Sequence, residues 1–169
     1  MNNKELKKLL LAAMFVAIGV SLSGFFIPVG TAKCFPIQHM MNVFSAVFLG
    51  PVYGVASAFC TSLIRNFMGT GSLLAFPGSM IGALLCGVIY KKTKNLYASY
   101  IGEIFGTGIL GGITAYPVAL FLMGNSAVAI FAFVIPFLIS TVGGTIVAAI
   151  LIGVMNKTGV LDYLKRQIQ

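Results

Sequence analysis

Charged side chains are scarce in this 169-residue chain. They make up 8% of the residues and include only three acids, while 59% of the residues are hydrophobic. A soluble domain of this length carries roughly 25% charged residues. Histidine occurs once and tryptophan is absent. So little charge cannot cover a surface that faces water, so the composition excludes an ordinary soluble domain, and the length allows only one domain.

Motifs of soluble catalysis are missing as well. The sequence contains no G-x-x-x-x-G-K-[ST] phosphate loop, no G-x-S-x-G and no H-E-x-x-H. Cys34, Cys60 and Cys86 form no C-x-x-C pair and are expected to be free, mostly buried thiols. One histidine without partners at ligand spacing predicts no metal site, and no cofactor is expected. We therefore expect a protein that is not an enzyme and has no ATPase activity of its own.

Six apolar runs fill most of the chain. A membrane helix takes roughly 20 residues, so each run is a predicted span of one membrane domain covering residues 1–169. Continuous runs of this length argue against the alternating strands of a barrel and favour an all-α, multi-pass bundle. The predicted helices cover residues 6–27, 37–49, 51–68, 73–90, 97–123 and 127–155.

The basic residues are arranged as topology signals. The formal charge is +8, but short clusters between apolar runs are not a groove for nucleic acid. With the N-terminus in the cytoplasm, alternating spans leave only Lys33 and Arg65, of 11 basic residues, outside. Basic residues favour the cytoplasmic side. The pattern therefore predicts six spans in a cell membrane, both termini cytoplasmic, and outer loops at 28–36, 69–72 and 124–126.

Polar side chains gather near the predicted outer ends of the spans. An unpaired polar group in hydrocarbon costs several kcal/mol, so such groups mark packing contacts or a site. Pro36 and Pro77 also lie there, and broken backbone is tolerated where it lines a cavity. We expect a cavity open to the outside, lined by the second to fourth spans. The polar residues are Lys33, Gln38, His39, Asn42, Arg65, Asn66, Thr70 and Ser72.

Each candidate also has a plainer interpretation. His39 and Asn42 share a helix face because they are three residues apart, and His39 either lines the pocket or is a satisfied structural histidine. Arg65 and Asn66 either contribute to the site or cap the third helix, where an arginine satisfies the last carbonyls. Lys33 either reaches the site or is a solvated loop charge.

Glu103 is the only acid within a predicted span. The topology places it near the cytoplasmic end of the fifth span, whereas Arg65 lies near the outer end of the third. At 1.5 Å per residue the two are too far apart to pair. We expect Glu103 to reach the inner interface or Lys91, with a proton-relay role as the alternative.

Small residues recur at four-residue steps in two spans. Ala13 and Ala17 lie one turn apart in the first span, and glycines repeat this step in the fifth, from Gly102 and from Gly108. Small residues at this spacing let helices approach closely. The step predicts helix packing, and by itself it is weak evidence for a partner.

Four stretches of the sequence carry a family resemblance. They are PVGTAKCFPIQHMMN (28–42), FLGPVY (48–53), SLIRN (62–66) and GTGSLLAFPGSMIGA (69–83). They resemble the ThiW family, which comprises the thiazole-type substrate-binding (S) components of energy-coupling factor (ECF) transporters. The motifs lie within about a third of the chain, and the remainder agrees in hydropathy, length and topology alone.

The resemblance implies a six-helix S component that binds a vitamin or precursor at the outer side, under a lid formed by the first loop. It implies docking onto the membrane coupling subunit EcfT, which two cytoplasmic ATPases drive. The family's A-x-x-x-A docking motif is matched here by Ala13 and Ala17. The implied ligand is 4-methyl-5-(2-hydroxyethyl)thiazole, a thiamine precursor, released by toppling of the S component in the bilayer of a prokaryote.

A small, aromatic, neutral ligand needs a flat apolar slot and two or three hydrogen bonds. Phe35, Phe76 and Tyr116 would supply ring faces. Gln38, His39 and Asn42 would form hydrogen bonds with the ring nitrogen and the hydroxyl of the ligand, and Ser79 would add one more contact. Arg65 and Lys33 exceed what a neutral ligand needs; they either hold lid carbonyls or indicate an anion such as the phosphate ester. The predicted substrate-binding residues are Lys33, Phe35, Gln38, His39, Asn42, Arg65, Asn66, Phe76, Ser79 and Tyr116.

Other functions stay open at this point. One is an S component for another vitamin, such as thiamine itself. Another is a stand-alone, proton-coupled carrier that uses Glu103. An intramembrane enzyme is the least favoured, because no nucleophile–base pair is found in the sequence.

Overall fold

The computed structural model describes residues 3–29 and 32–168 and shows a helical bundle with one small hairpin. The predominantly helical prediction is confirmed. The elements are α1 (Asn3–Ser21), β1 (Ile27–Val29), β2 (Ala32–Cys34), α2 (Pro36–Leu49), α3 (Pro51–Phe67), α4 (Ala75–Thr93), α5 (Leu96–Leu122), α6 (Val134–Lys157) and α7 (Val160–Ile168).

Two helices, α5 and α6, are long and apolar enough to cross a membrane by themselves. α2 has 14 residues and α3 has 17, fewer than the roughly 20 of a full crossing. Helices α1 to α6 follow the order of the six predicted apolar runs. Two of the helices in the described part of the chain are thus shorter than a full crossing, and the count of six spans stays a prediction.

The first predicted helix ends early, and the all-α prediction needs a correction there. α1 stops at Ser21 instead of residue 27, and the chain then forms the antiparallel hairpin β1–β2, with Ile27 opposite Cys34 and Val29 opposite Ala32. The predicted apolar run continues from α1 to the start of β1, so hydropathy does not mark the end of the helix. Pro28 removes an N–H that a helix would need, which favours extended backbone.

The C-terminal part also differs from the prediction. α6 begins at Val134 instead of residue 127, after a segment of turns. The predicted polar tail contains a seventh helix, α7, which packs against α1 and α6. Its Leu161 is buried, and Nζ of Lys165 donates to the hydroxyl of Tyr90 in α4. α7 therefore covers the end of the bundle at which α4 terminates.

α2 is the central helix, and it packs against α1, α3, α4, α5 and α6. Eleven of its 14 residues are buried. Pro36 occupies the first turn, where its missing N–H costs nothing, and Gly50, at φ +90°, separates α2 from α3. The first half of α2 carries Gln38, His39 and Asn42, and this placement brings three polar side chains into the middle of the bundle.

The second half of α2 belongs to the apolar core. Phe44 and Phe48 stack with ring centroids 5.8 Å apart, and Phe15 of α1 meets the Phe44 ring edge-on at 5.9 Å. Aromatic pairs of this kind add about 0.5–1.5 kcal/mol beyond area burial. α2 is therefore divided along its length into a polar half near its start and an aromatic half near its end.

α5 is held close to its neighbours by glycines. A Cβ at Gly106 would lie 2.8 Å from the Cα of Gly82 in α4, and a Cβ at Gly112 would lie 2.8 Å from the Cα of Val134 in α6. The glycine steps of α5 are therefore used inside the bundle. Ala13 and Ala17 of α1, by contrast, are exposed. α5 also contains two π-helical segments, Phe105–Gly111 and Val118–Leu122.

Candidate functional site

A cavity of about 820 Å³ opens at the end of the bundle where α2 begins. Its walls are the β1–β2 hairpin, the first half of α2, the end of α3 with the following loop, the first turns of α4, and the first half of α6. Pockets of roughly 300–1,000 Å³ are usual for small-molecule ligands. Phe44 and Phe48, in the aromatic half of α2, do not line this cavity.

Arg65 is the largest fully buried side chain among the described residues, with 1% of its surface exposed, and it lines the cavity. Its Nη1 donates to Oε1 of Gln38, and its Nη2 donates to the carbonyl of Thr70 at 2.9 Å. The guanidinium carbon lies 4.0 Å from the ring centroid of Phe35. Arg65 thus joins α3 to α2, to the α3–α4 loop and to the residue that follows the hairpin.

The amide of Gln38 is held on both sides. Its Oε1 accepts from Arg65, and its Nε2 donates to Oγ of Ser62 at 3.0 Å. Ser62 in turn lies 3.1 Å from Oγ of Ser79, which donates to the carbonyl of Ala75 at 2.7 Å. Because both sides of the Gln38 amide are engaged, its orientation at the cavity is fixed before a ligand arrives.

Glu103 lies at the centre of a second buried network, below the cavity. Its Oε1 accepts from Nδ2 of Asn42 at 3.2 Å and from Oγ1 of Thr107 at 3.1 Å, and it lies 3.2 Å from Nδ1 of His39. We call these four residues the Glu103 cluster. His39 also lines the cavity, so the cluster connects the cavity to α5. Oε2 of Glu103 is buried without a hydrogen-bond partner among the described residues.

The predicted position of Glu103 is therefore wrong. It reaches neither the inner interface nor Lys91 but points into the bundle, toward α2. Gly82 makes this possible, because a side chain there would place its Cβ 2.8 Å from Oε2 of Glu103. Within the described residues Glu103 is paired with His39, and no ion pair joins it to Arg65, as expected.

Six of the ten predicted binding residues line the cavity. The other four do not, and two of these support the site from behind. Asn42 donates to Glu103 and to the carbonyl of Ser79, and Asn66 donates to the carbonyls of Ser62 and Ser72, which holds the α3–α4 loop. The six that line the cavity are Lys33, Phe35, Gln38, His39, Arg65 and Ser79.

Phe76 and Tyr116 lie outside the cavity lining, so the structure does not bring them together with the other six, and their role as ring faces stays a prediction. Phe76 starts α4 and packs its ring on Phe59 of α3 at 5.6 Å, on a partly exposed side of the bundle. Tyr116 is half-buried on the short α-helical stretch Gly112–Pro117 of α5. The position of a residue near the outer end of a predicted span does not determine the direction in which its side chain points.

The wall contributed by α6 was not predicted. Phe133 and Phe137 line the cavity with ring centroids 6.3 Å apart, and Ser140 lies one turn further along. Oγ of Ser140 accepts from the backbone N–H of Phe35 at 2.6 Å. The spacing of these residues by three and four is a helix-face signal, but the same spacing is typical of ordinary core packing.

The hairpin and the segment that leads into it are each held to the bundle by a side-chain hydrogen bond. Sγ of Cys34 donates to the carbonyl of Pro136 at 3.3 Å, and Oγ of Ser23 donates to Oγ1 of Thr70 at 3.1 Å. Burial raises the pKa of the Cys34 thiol, which therefore stays protonated and able to donate. On the outer face Nζ of Lys33 lies 4.6 Å from the ring centroid of Phe26. The hairpin is thus a roof over the cavity.

Metal-binding groups are not assembled in residues 3–29 and 32–168, where no three His, Cys, Asp or Glu side chains come together. The cysteines there are free thiols: Cys34 and Cys86 are buried and Cys60 is exposed. The residues that line the cavity offer hydrogen-bonding groups, aromatic faces and positive charge to a ligand.

Comparison with known proteins adds a family assignment. The family model described as "Thiamine-precursor transporter protein (ThiW)" matches residues 9–158. Neither the curated proteins nor the solved structures contain a match to the chain. The matched range includes all of the cavity lining and the Glu103 cluster, and it ends just before α7.

Proposed function

Because the chain belongs to the ThiW family of thiamine-precursor transporters, we propose that it is the substrate-binding membrane subunit, or S component, of an ECF-type importer. It takes up hydroxyethylthiazole across the cell membrane of a prokaryote. The observation that carries the proposal is the cavity of about 820 Å³, in which the polar side chains of Gln38 and Arg65 are already held by buried hydrogen bonds. Energy comes from two partner ATPases, through EcfT.

The lining suits a small heterocycle. Phe35, Phe133 and Phe137 offer aromatic faces, while Gln38 and His39 offer hydrogen-bonding groups beside them. A flat apolar surface with a few fixed polar groups is the usual composition of a small-molecule site. The nitrogen of the thiazole and its hydroxyl are the ligand atoms that these polar groups would recognise.

Calorimetry on the purified protein tests the ligand assignment. Hydroxyethylthiazole should bind, and His39→Ala should weaken binding by about 1–3 kcal/mol, the cost of leaving a buried polar group unpaired. Asn42→Ala should weaken binding as well, through the Glu103 cluster. Asn156→Ala, at an exposed site near the far end of α6, is the matched control. Unchanged affinity in His39→Ala would remove this residue from the site.

Docking onto EcfT is assigned to Ala13 and Ala17. Both are exposed on α1, whereas the comparable glycine steps of α5 are covered by α4 and α6. Ala13→Trp and Ala17→Trp should abolish copurification with EcfT and leave thiazole binding intact. Ala56→Trp makes the same change at an exposed alanine of α3 and should assemble normally. Assembly that survives both α1 variants would refute the assignment.

A stand-alone, proton-coupled carrier is the second candidate, and one observation favours it. Buried Glu103 lies 3.2 Å from His39, which lines the cavity, so a proton acceptor sits beside the ligand site. Counterflow in vesicles containing this protein alone separates the two functions. Exchange of labelled thiazole in those vesicles, lost in Glu103→Gln, would establish the carrier. Exchange that requires EcfT and the ATPases would establish the S component.

A further inference from the structure

We propose that the cavity selects an anion, and that its preferred ligand is the phosphate monoester of the thiazole alcohol in place of the neutral alcohol. The thiazole part of this statement rests on the proposed function. The anion part rests on the charges that line the cavity, which are two cations and no acid. The two parts can therefore fail separately.

The positive charge in the cavity has no counter-charge within the protein. The chain contains three acids, Glu5, Glu103 and Asp162, and none of them lines the cavity. Only Glu103 lies near, and it faces His39, Asn42 and Thr107 below the cavity floor. Within residues 3–29 and 32–168 neither Lys33 nor Arg65 forms an ion pair. An anionic ligand would supply the missing partner.

Arg65 shows the imbalance most clearly. Its side chain is 1% exposed, and its partners are the neutral oxygens of Gln38 and Thr70 and the ring of Phe35. Its Nε is buried without a hydrogen-bond partner among the described residues. A buried cation without an anion is strongly unfavourable, and neutral acceptors compensate it only in part. A phosphate oxygen forms the stronger, charge-assisted type of hydrogen bond with arginine.

Lys33 adds a second positive charge, from the hairpin. It lies on β2 of the hairpin, is exposed, and lines the cavity. The hairpin thus carries a cation over the opening while Arg65 carries one on the inner wall. Hydroxyls of Ser72 and Thr70 lie in the same lining. A neutral alcohol uses a hydroxyl and an amide but leaves both cations uncompensated, whereas a monoester engages them.

The test measures the dissociation constants of the alcohol and of its phosphate ester side by side, by calorimetry at pH 7.5. The ester should bind at least about tenfold more tightly, which corresponds to one charge-assisted hydrogen bond. Lys33→Gln should reduce this preference severalfold, because it removes one of the two cations that line the cavity. Lys92→Gln, at an exposed lysine outside the lining, should change neither ligand.

Two further measurements keep the test decisive. Arg65→Gln should abolish the preference; where that variant does not fold, Lys33→Gln carries the comparison. The preference should also shrink at pH 5.5, because the second ionisation of a phosphate monoester has a pKa of about 6. A preference that falls equally in Lys33→Gln and Lys92→Gln reflects general surface attraction and overturns the proposal.

The outcomes separate the two parts of the statement. If the alcohol binds and the ester binds no more tightly, the claim that the cavity selects an anion is wrong, and the proposed thiazole function stands. If neither the alcohol nor its phosphate ester binds, the assignment of a thiazole ligand is wrong. Inorganic phosphate then tests whether the cavity binds an anion at all. Phosphate should raise the thermal unfolding temperature of the wild type at constant ionic strength, and it should raise that of Lys33→Gln by less. An unchanged temperature in the wild type overturns the anion as well.

Discussion

Replacing Glu103 with glutamine should destabilise the fold from its centre. The carboxylate accepts from Asn42 and Thr107 and lies 3.2 Å from Nδ1 of His39, while Thr107 shares its hydroxyl with the carbonyl of Gly78. A hydrogen bond to a charged group is worth roughly 1 kcal/mol more than a neutral one. With two to three such bonds weakened, we expect Glu103→Gln to lower the free energy of unfolding by roughly 2–3 kcal/mol.

The assay must suit a chain without tryptophan. Helix content followed by circular dichroism during titration of mixed micelles with a denaturing detergent gives the unfolding free energy. Asp162→Asn makes the same carboxylate-to-amide change at an exposed position of α7 and should leave that free energy nearly unchanged. If Glu103→Gln is no less stable than Asp162→Asn, the Glu103 cluster does not hold α5 to α2.

Three further predictions follow from single contacts. Gly82→Ala should cost about 1–3 kcal/mol of unfolding free energy, because its Cβ would collide with the carboxylate of α5, while Gly153→Ala, with nothing within 4 Å, should be neutral or slightly stabilising. Ser140→Ala removes the acceptor that holds the roof, so stopped-flow measurements should show ligand dissociation about 3- to 10-fold faster. In a Cys60→Ser background, an impermeant maleimide should label Lys33→Cys in intact cells and Lys92→Cys only after lysis; the reverse result would place the cavity on the cytoplasmic side.

Helix boundaries were predictable where the sequence contains proline or glycine residues that interrupt a helix. The predicted runs 37–49 and 51–68 agree within a residue with α2 and α3, because Pro36 and Gly50 interrupt the backbone pattern on either side of α2. The end of α1 was not predictable in this way. Residues 22–27 remain apolar although the chain has left the helix, and hydropathy responds to composition alone, not to backbone conformation.

The candidate site was predictable where it is local in sequence. Gln38, His39, Arg65 and Ser79 are unusual as polar residues in apolar runs, and all four line the cavity. Ser140 was missed because a lone serine in an apolar helix has no signal of its own. Its role comes from the hairpin residue that packs against it, and this contact exists only in the folded bundle.

Glu103 shows a different limit of prediction. Counting 1.5 Å per residue along a straight helix places it near one membrane surface. Its actual surroundings depend on the absence of a side chain at Gly82 and on the π-helical segment Phe105–Gly111 that follows it. Both features act between helices. The axial estimate treats each helix separately, so it missed the contact with α2.

The same cluster bears on how a ligand would leave toward the cytoplasm. Opening a path through the bundle would separate α2 from α4 and α5, which breaks the bonds of Asn42 to Glu103 and to the carbonyl of Ser79 and the contact of His39 with Glu103. Leaving such buried polar groups without partners costs about 1–3 kcal/mol each. Tilting the whole bundle in the membrane breaks none of these contacts. The internal bonding of α2 therefore favours rigid-body movement of the bundle over a channel that opens inside this chain.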